Sequence, residues 1–449
     1  MRVRDINMKK MISALLIFIM LSFCGCSATD QKTLESTHST TETPVIETVQ
    51  QQGIVLPKAN LITMNWDASF QKAIEKNEIG FTITEKFSQN YFGAKSLYNA
   101  DKQEIDITEI LIDKKTYKEI PLIYPDGFPS WQVGSGSYII LKNRYLYEWR
   151  SYTSQFEEDN GHDMKLTRID CSTGKVEVMD EFQLNSPLIY LCKMDEERFL
   201  SYYVVKAPSE KNEYATLTVA TIYNLDGTKK EIIREKYEND VDWTDSEGTL
   251  IERFAVKDGE IYGFGRRRIS GSYKFFLYHY DHNGKLLETE AVPGFENIIG
   301  AEQPLVFLLV GDYIVFRTYE SLTSYICKRT SNGTELIMKG ADGNVSYAIS
   351  TINSGAQSST YIFFIESNVN DDDTLKEKEC PLYAIEVESG KIIAANFPIP
   401  LKKPYFVGMR SLSNGDLLVT YCEKEYDPLK QIQFLLPCDK LHALFHQAS

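Results

Sequence analysis

A turn that returns at a nearly fixed interval constrains the fold of this chain more than any other feature. In it, polar residues lead into a glycine between two apolar runs. The glycines fall at positions 174, 227, 284, 333 and 390, an interval of roughly 50–60 residues that is typical of folds built from one repeated supersecondary unit. Tyr and Phe residues on either side alternate with polar ones, which is the period of half-buried strands. Each turn is therefore predicted to close a β-hairpin.

A second kind of turn lies between successive copies of the first. Examples are Lys142-Asn143-Arg144, Asp258-Gly259, Gly311-Asp312 and Asn414-Gly415, each between two aromatic or aliphatic runs. Asp-Gly and Asn-Gly are strong hairpin signals because the type I′ turn needs a positive φ at both central residues. Two hairpins make four antiparallel strands in about 50 residues, which is the content of one β-propeller blade.

The number of repeats sets the predicted architecture. Cys438-Asp439-Lys440 is predicted to be a sixth copy of the first turn, and residues 113–116 a weaker seventh. About seven four-stranded antiparallel blades would fill residues 53–449, so the predicted fold class is an all-β propeller. Two β-sandwiches are the alternative, but they explain the strands without explaining the alternation of two turn types. The best helix candidate is short, residues 67–76.

The first turn also resembles the repeats of a known family. Residues 170–175 follow the pattern Asp-x-x-x-Gly-Lys before an apolar strand, residues 281–285 are one residue shorter, and residues 388–391 are shorter still. This pattern resembles the repeats of quinoprotein-like β-propellers. The Trp expected after Gly-Lys in that family is missing from every copy here. The resemblance therefore implies the propeller fold and not a quinone, and no cofactor is expected.

The N-terminus has the layout of a secretory signal peptide. Lys9 and Lys10 precede an apolar run at residues 11–23, which is shorter than the about 20 residues that a membrane-spanning helix needs. Gly25-Cys26 follows and resembles the lipobox of bacterial lipoproteins, in which the cysteine thiol takes a diacylglycerol and becomes the new N-terminus. We therefore expect residues 1–26 to be a lipoprotein signal peptide with lipidation at Cys26. The mature protein is predicted to be anchored to the cell membrane by lipid, facing the extracytoplasmic side.

The segment after the anchor has the composition of a linker. Residues 27–52 are rich in Ser, Thr, Glu and Gln and have few large apolar residues. Such a segment cannot bury a core, so it is predicted to be a disordered tether that holds the folded body off the membrane.

The charge balance limits the range of partners. The chain has 48 Lys and Arg residues against 63 Asp and Glu residues, a net charge of −15. Nucleic-acid phosphates need clustered Lys and Arg, so no nucleic-acid partner is expected. An acidic surface also does not lie flat on anionic lipid, so membrane contact is expected through the lipid anchor. The basic run Arg266-Arg267-Arg268 is predicted to be an exposed strand end paired with acidic neighbours.

No catalytic signature accompanies the repeats. The sequence has no His-Glu-x-x-His, no Gly-x-Ser-x-Gly and no phosphate-binding loop. Beyond Cys24 and Cys26 the cysteines are dispersed and form no CxxC pair. Most are expected to be small apolar strand residues, with one or two disulfides left open. The histidines are interpreted as surface turn residues: His38, His162, His279, His282, His442 and His446.

Three acidic loops are the candidate metal sites. They span residues 157–163, 240–247 and 368–373, and oxygen-rich loops can supply the six to eight ligands that Ca²⁺ takes. None of them has the EF-hand spacing, and a solvated acidic loop is the alternative interpretation. The weak calcium candidates are Asp240, Asp242 and Asp245.

The sequence favours one class of function and leaves another open. The first prediction is a non-enzymatic binding or scaffold lipoprotein that presents a propeller surface to envelope proteins or glycans. The alternative is an envelope enzyme, a carbohydrate- or peptide-acting hydrolase or lyase with carboxylates in the propeller channel. A sensory or solute-binding lipoprotein is a third option. Because propellers host all of these, the fold cannot decide, but two or three convergent Asp, Glu or His residues in the channel would favour the enzyme.

Overall fold

The computed structural model describes the chain between Thr48 and Ala448 with gaps. The described residues are 48–51, 54–57, 61–64, 75–76, 81–99, 104–128, 133–151, 161–185, 189–207, 215–239, 246–248, 250–300, 302–319, 321, 323–340, 345–354, 357–366, 379–398, 405–422 and 431–448. The predicted signal peptide, Cys26 and most of the predicted linker lie outside these residues.

Four short strands precede the first blade: β1 (Thr48–Gln51), β2 (Ile54–Pro57), β3 (Leu61–Met64) and β4 (Glu75–Lys76). The chain then builds three sheets. Blade 1 comprises β5 (Thr82–Lys86), β6 (Asn90–Asn99), β7 (Glu104–Asp113) and β8 (Glu119–Pro121). Blade 2 comprises β9 (Val133–Leu141), β10 (Tyr145–Ser151), β11 (His162–Asp170) and β12 (Val176–Leu184). Blade 3 comprises β13 (Tyr190–Lys193), β14 (Arg198–Lys206), β15 (Thr216–Asn224), β16 (Lys229–Asn239) and β17 (Ser246–Gly248).

Four more sheets follow in the same order along the chain. Blade 4 comprises β18 (Leu250–Lys257), β19 (Glu260–Ile269), β20 (Ser272–Tyr280) and β21 (Leu286–Ala291). Blade 5 contains β22 (Pro304–Val310), β23 (Tyr313–Thr318), β24 (Ser324–Thr330) and β25 (Gly333–Gly340). Blade 6 contains β26 (Val345–Ser354), β27 (Gln357–Glu366), β28 (Glu379–Glu386) and β29 (Ile392–Pro398). Blade 7 contains β30 (Tyr405–Ser411), β31 (Leu417–Cys422) and β32 (Gln431–Leu436).

The seven sheets form a closed ring. The first strands of neighbouring blades contact one another, as β9 does with β13 and β18 with β22, so these strands are the innermost ones. An apolar cluster fills each junction between successive blades. A seventh cluster joins the last blade to the first, with Leu418 and Leu435 against Ile83 and Ile110. The predicted all-β propeller of seven four-stranded antiparallel blades is confirmed, and the alternative of two β-sandwiches is wrong.

The two predicted turn types occupy different places in each blade. The second kind of turn, such as Lys142-Asn143-Arg144, joins the first strand of a blade to its second strand. The first kind, which contains the recurrent glycine, joins the third strand to the fourth. All five recurrent glycines have a positive φ, which explains why glycine returns there. At Gly174, where φ is 79°, a Cβ would also lie 2.5 Å from the carbonyl oxygen of Pro121 in blade 1. We call the end of the ring that carries both turn types the turn face.

The N-terminal strands form a belt around the rim of three blades. Strand β2 pairs with β25 of blade 5 and carries β1 outside it. Strand β3 then pairs in parallel with β29 of blade 6, and β4 pairs with β32 as the fourth strand of blade 7. The first described strand thus begins at Thr48, inside the segment predicted to be a linker. Glu75 and Lys76 form a strand and not the end of a predicted helix, whose other residues lie outside the described ones.

Two helices are described, and both cover blade junctions. Helix α1 (Phe295–Ile299) buries Phe295 against Phe264 and Phe275 at the junction of blades 4 and 5. Helix α2 (Cys438–Ala448) follows β32 and packs Phe445 on the junction of blades 6 and 7. The prediction of a sixth turn at Cys438-Asp439-Lys440 is therefore wrong. Because β4 supplies the fourth strand of blade 7, the chain after β32 needs no second hairpin and can form a helix.

Candidate functional site

The residues predicted to carry chemistry are mostly beyond the described part of the chain. Cys26 and the calcium candidates Asp240, Asp242 and Asp245 lie outside the described residues, as does the loop at 368–373. Of the loop at 157–163, Asp163 is described and accepts a hydrogen bond from Gln183 at 2.9 Å. Among the described residues, no group of three or more His, Cys, Asp or Glu side chains could hold a metal ion, and no helix is long and apolar enough to span a membrane.

Two side chains, those of His442 and Arg266, are more buried than predicted. His442 lies in α2, buried against the ring of Tyr361 with 4.7 Å between centroids, and burial lowers its pKa to about 4. Arg266 is also buried and pairs with Glu252 at 3.1 Å. Arg267 is exposed and Arg268 is half-buried, so the prediction of an exposed strand end is wrong for Arg266.

Of the described cysteines, Cys192 and Cys327 lie in strands as predicted, whereas Cys171 lies in the β11–β12 turn and Cys438 begins α2. Cys171 and Cys327 are buried free thiols, Cys192 is a partly buried free thiol, and Cys438 is partly buried. Burial raises the pKa of the Cys171, Cys192 and Cys327 thiols, so these groups stay protonated and unreactive near neutral pH.

Polar side chains on the innermost strands join blades 7, 1 and 2. Arg410 of β30 donates to the carbonyl oxygen of Ile83 at 2.9 Å, and the Tyr138 hydroxyl of β9 donates to the carbonyl oxygen of Thr84 at 3.1 Å. Between them, Glu85 of β5 is buried, and burial raises its pKa. These contacts hold neighbouring first strands together near the axis of the ring.

An ion-pair triad around the buried Arg150 lies beside this group, between blades 1 and 2. The Arg150 guanidinium contacts the Glu109 carboxylate at 2.7 Å and the Glu148 carboxylate at 2.9 Å. Burial raises the pKa of Glu148 to about 7, although Arg150 acts in the opposite direction. The two carboxylates thus share one nitrogen atom. Arg150 contacts both carboxylates directly, so both serve as its ion-pair partners.

Other carboxylates near the axis are also held by cations. Asp416 of blade 7 pairs with Lys86 at 2.9 Å and accepts a hydrogen bond from the Cys438 backbone N–H at 3.0 Å. Glu252, on the first strand of blade 4, is held by Arg266. Each of these groups is positioned as an ion-pair partner, which is the arrangement that makes a buried carboxylate tolerable.

A cleft opens on the turn face over the same junction of blades 1 and 2. It has a volume of about 270 Å³. One wall is the β5–β6 turn, with Ser88 and Gln89, and the other is the β9–β10 turn, with Lys142, Asn143 and Arg144. Cys171 and Ser172 of the β11–β12 turn complete the lining. The Asn90 side-chain amide donates to the carbonyl oxygen of Cys171 at 2.7 Å and so ties the walls together.

The cations of the cleft are already neutralised. Arg144 donates to both oxygens of Asp170, at 2.9 and 2.6 Å, and its guanidinium holds the pKa of that carboxyl well below its usual range. Lys142 pairs with Glu197 of blade 3 at 2.5 Å. None of the described residues that line the cleft has a carboxylate, and its exposed side chains include Ser88, Gln89 and Asn143. Hydroxyls, amides and paired ions of this kind exchange hydrogen bonds with neutral polar groups.

The sequence predicts one wall of this cleft as a hairpin turn, but it does not indicate a binding site there. Lys142-Asn143-Arg144 was predicted as a hairpin turn, and two cations in one turn of an acidic chain are its only local signal. The opposite wall, Ser88-Gln89, has no distinguishing pattern and comes from the previous blade. The Glu148–Arg150 pair has an i, i+2 spacing that places both on one face of a strand, but its partner Glu109 is also in another blade.

Comparisons with known proteins do not assign a family. No family model and no curated protein matches the chain. Among solved structures, a prolyl endopeptidase is similar over 76% of this chain at 12% identity with a TM-score of 0.42, and this chain covers 45% of that one. An α-L-arabinanase from Penicillium chrysogenum complexed with arabinobiose is similar over 68% of this chain and 92% of its own, at 9% identity and a TM-score of 0.38. The propeller domain of the trilobed protease from Pyrococcus furiosus is similar over 69% of this chain and 94% of its own, at 10% identity and 0.33.

Proposed function

We propose that this chain is a non-enzymatic binding lipoprotein whose propeller presents a polar cleft to glycans of the cell envelope. The observation that carries the proposal is the lining of the cleft over blades 1 and 2. In a chain of net charge −15, its described lining has hydroxyls, amides and two neutralised cations but no carboxylate. A neutral oligosaccharide offers hydroxyl groups that can donate to and accept from all of these, whereas a free anion would have to compete with Asp170 and Glu197 for the cations.

The orientation of the belt supports a membrane anchor. Strand β1 lies on the outer edge of blade 5, away from blades 1 and 2 in the ring. A lipid on Cys26 would therefore connect to the ring at its rim. The turn face, which carries the cleft, would then remain accessible to molecules of the envelope. Residues 27–47 would span the distance between the anchor and the rim.

The anchor can be tested by substitution of one cysteine. Cys26→Ser is expected to abolish incorporation of labelled fatty acid and to move the protein from the membrane fraction to the soluble one. Cys24→Ser is the matched control and is expected to keep both the label and the location. Labelling of the Cys26→Ser protein equal to that of the unaltered protein would contradict the proposal.

The cleft can be tested with a panel of neutral and uronic-acid-containing oligosaccharides. We expect neutral members to bind, and Asn143→Gly to weaken binding about tenfold, because glycine keeps the positive φ of 47° while removing the amide. Asn332→Gly, in a turn of blade 5, is the matched control. Equal binding of the Asn143→Gly protein and the unaltered one would reject the cleft as the site.

The competing enzyme proposal depends on the carboxylates of the ion-pair triad. Glu148 is the residue whose raised pKa most resembles that of a general acid. Mass spectrometry of each bound oligosaccharide after long incubation separates the two proposals. Intact oligosaccharide is expected from a binding protein, and products that disappear in Glu148→Gln would establish the enzyme instead.

A further inference from the structure

The outermost strand of blade 4, β21, presents an open edge on the rim. All six of its residues are exposed, with Leu286 at 46% and Leu287 at 50% of full exposure. On its inner side β21 pairs with β20, and among the described residues no strand pairs with its outer side. Exposed leucines on an unpaired edge are unusual, because such edges recruit further strands.

Other blades of this protein already carry a strand at the corresponding position. Blade 5 has β2 and β1 beyond its fourth strand, blade 6 has β3, and blade 3 has β17. The rim of this ring therefore accepts added strands of either direction, since β2 is antiparallel and β3 is parallel to its neighbour.

The other three four-stranded blades with an uncovered rim in the described chain are less suited to an added strand. Strand β4, the outermost strand of blade 7, has only two residues. Strand β8 of blade 1 has only three residues and ends at Pro121, which cannot donate a backbone hydrogen bond. Strand β12 of blade 2 holds its side chains in ion pairs, including Glu177 with Arg168 and Glu181 with Lys165. Strand β21 has six residues and no proline, and of its two glutamates only Glu290 is held by an arginine in the described chain.

The backbone of β21 shows which groups face outward. The N–H of Val292 donates to the carbonyl oxygen of Phe275 on β20. Because hydrogen-bonding direction alternates along a strand, the N–H and C=O groups of Ala291 and Thr289 point away from β20. These groups can pair with an incoming strand, whereas those of Glu290 point toward β20.

The side chains of β21 divide by chemistry between its two faces. Alternation places Glu288 and Glu290 on one face and Thr289 and Ala291 on the other. A register shift beside Tyr280 interrupts the alternation at Leu286 and Leu287, which are both exposed. Glu290 is also paired with Arg329 of blade 5 at 2.7 Å, and Glu288 lies opposite His279. A second copy of β21 would bring these glutamates against each other, which disfavours self-pairing. A strand with cations on one face and apolar side chains on the other matches both faces.

We propose that β21 is a docking edge for an extended segment of a partner protein in which Lys or Arg alternates with apolar residues. The segment adds to blade 4 as a fifth strand. Its backbone pairs with Thr289 and Ala291, its cations lie beside Glu288 and Glu290, and its apolar side chains lie on the opposite face. This surface is separate from the cleft over blades 1 and 2.

The probe is a fluorescent ten-residue peptide of alternating Lys and Val, compared by anisotropy with a peptide of alternating Glu and Val. The full chain is expected to bind the Lys peptide at least tenfold more tightly and to slow hydrogen exchange within residues 286–291. Thr289→Pro removes an outward N–H without touching the β20 pairing and should weaken binding at least tenfold. Thr289→Val, which keeps the N–H, should change it less than twofold.

If the Thr289→Pro protein does not fold, a charge-reversed variant of β21 tests the same docking edge. Glu288→Lys is expected to lower affinity for the Lys peptide and raise it for the Glu peptide. Binding of the Lys peptide that is unaffected by Thr289→Pro would show attraction to net charge alone and overturn the proposal. Concentration-dependent self-association that Thr289→Pro abolishes would also overturn it, because the occupant would then be a second copy.

Discussion

At Glu148, burial and ion pairing act on one carboxyl group in opposite directions. Burial disfavours the charged form, and Arg150 at 2.9 Å favours it. Burial prevails, so the folded protein holds the proton of Glu148 up to a pH of about 7, whereas an ordinary glutamate has a pKa of 4.5. The triad with Glu109 is therefore a structural device whose charge state changes near neutral pH.

This shift predicts a pH dependence of stability with a definite sign. Between pH 4.5 and about 7 the folded state binds the Glu148 proton more tightly than the unfolded state, so this group's contribution to stability falls as pH rises. Glu148→Gln cannot titrate and should remove that slope. The measurement is urea unfolding of both proteins at several pH values in this window. Parallel stability curves would contradict the assignment.

His442 should show the opposite sign. Burial lowers its pKa from 6.5 to about 4, so the folded state holds it neutral and the unfolded state binds the proton. Its contribution to stability is lost as pH falls from 6.5 toward 4. Thermal unfolding at pH 7 and pH 5 should therefore show a smaller acid-induced drop for His442→Leu than for the unaltered protein. An equal drop in both proteins would mean that another group causes it.

At the scale of single elements, the turns explain the repeat that the sequence shows. Gly174 needs a positive φ and also lies against the backbone of blade 1, where the N–H of Ile123 donates to its carbonyl oxygen at 2.8 Å. Gly259 has nearly the same φ, 78°, but a Cβ there would meet nothing within 4 Å. A Cβ at Gly259 would therefore cause conformational strain alone, whereas a Cβ at Gly174 would cause both strain and a steric clash.

Substituting each glycine by alanine tests that separation. Gly259→Ala is expected to cost about 1–2 kcal/mol, the usual strain of a left-handed alanine. Gly174→Ala should cost more, because its Cβ would also overlap the Pro121 carbonyl oxygen at 2.5 Å. Chemical denaturation of both variants gives the comparison. Equal costs would show that blade 1 moves aside freely.

At the scale of the whole molecule, closure of the ring joins residues that are far apart in the chain. Gln433 of blade 7 accepts from the Ile83 N–H at 2.6 Å and donates to the Ile83 carbonyl oxygen at 2.9 Å. The Gln433 side chain therefore binds both backbone groups of Ile83, as a neighbouring strand would, and links the last blade to the first. The belt strand β4 reinforces the same closure from the rim.

Removal of the Gln433 amide should weaken the closure measurably. In Gln433→Leu the Ile83 N–H loses its partner in a buried site, at a cost of about 1–3 kcal/mol, while Arg410 still serves the carbonyl. Gln183→Leu, which removes an exposed hydrogen bond to Asp163, is the control and should stay within about 0.5 kcal/mol. Urea unfolding compares the two. A Gln433→Leu protein as stable as the control would mean that the apolar cluster closes the ring unaided.

The sequence predicts what is local in this fold and misses what is not. Turn chemistry and alternating aromatics depend on neighbouring residues, so the hairpins, the blades and their number could be predicted. The belt, helix α2 and the Ile83–Gln433 closure depend on pairings across most of the chain, for which the sequence carries no short-range pattern. The cleft could be predicted only in part. The Lys142-Asn143-Arg144 turn on one wall has a recognisable sequence pattern, whereas Ser88-Gln89 on the facing wall does not.

The most direct test of the proposed binding function is hydrogen exchange of the full chain with and without the neutral oligosaccharide that binds it best. We predict slower exchange at residues 87–90, 142–144 and 171–172, and no such change in the Asn143→Gly protein. If no neutral oligosaccharide binds, or if the slowed amides lie elsewhere on the ring, the cleft over blades 1 and 2 is not the binding site.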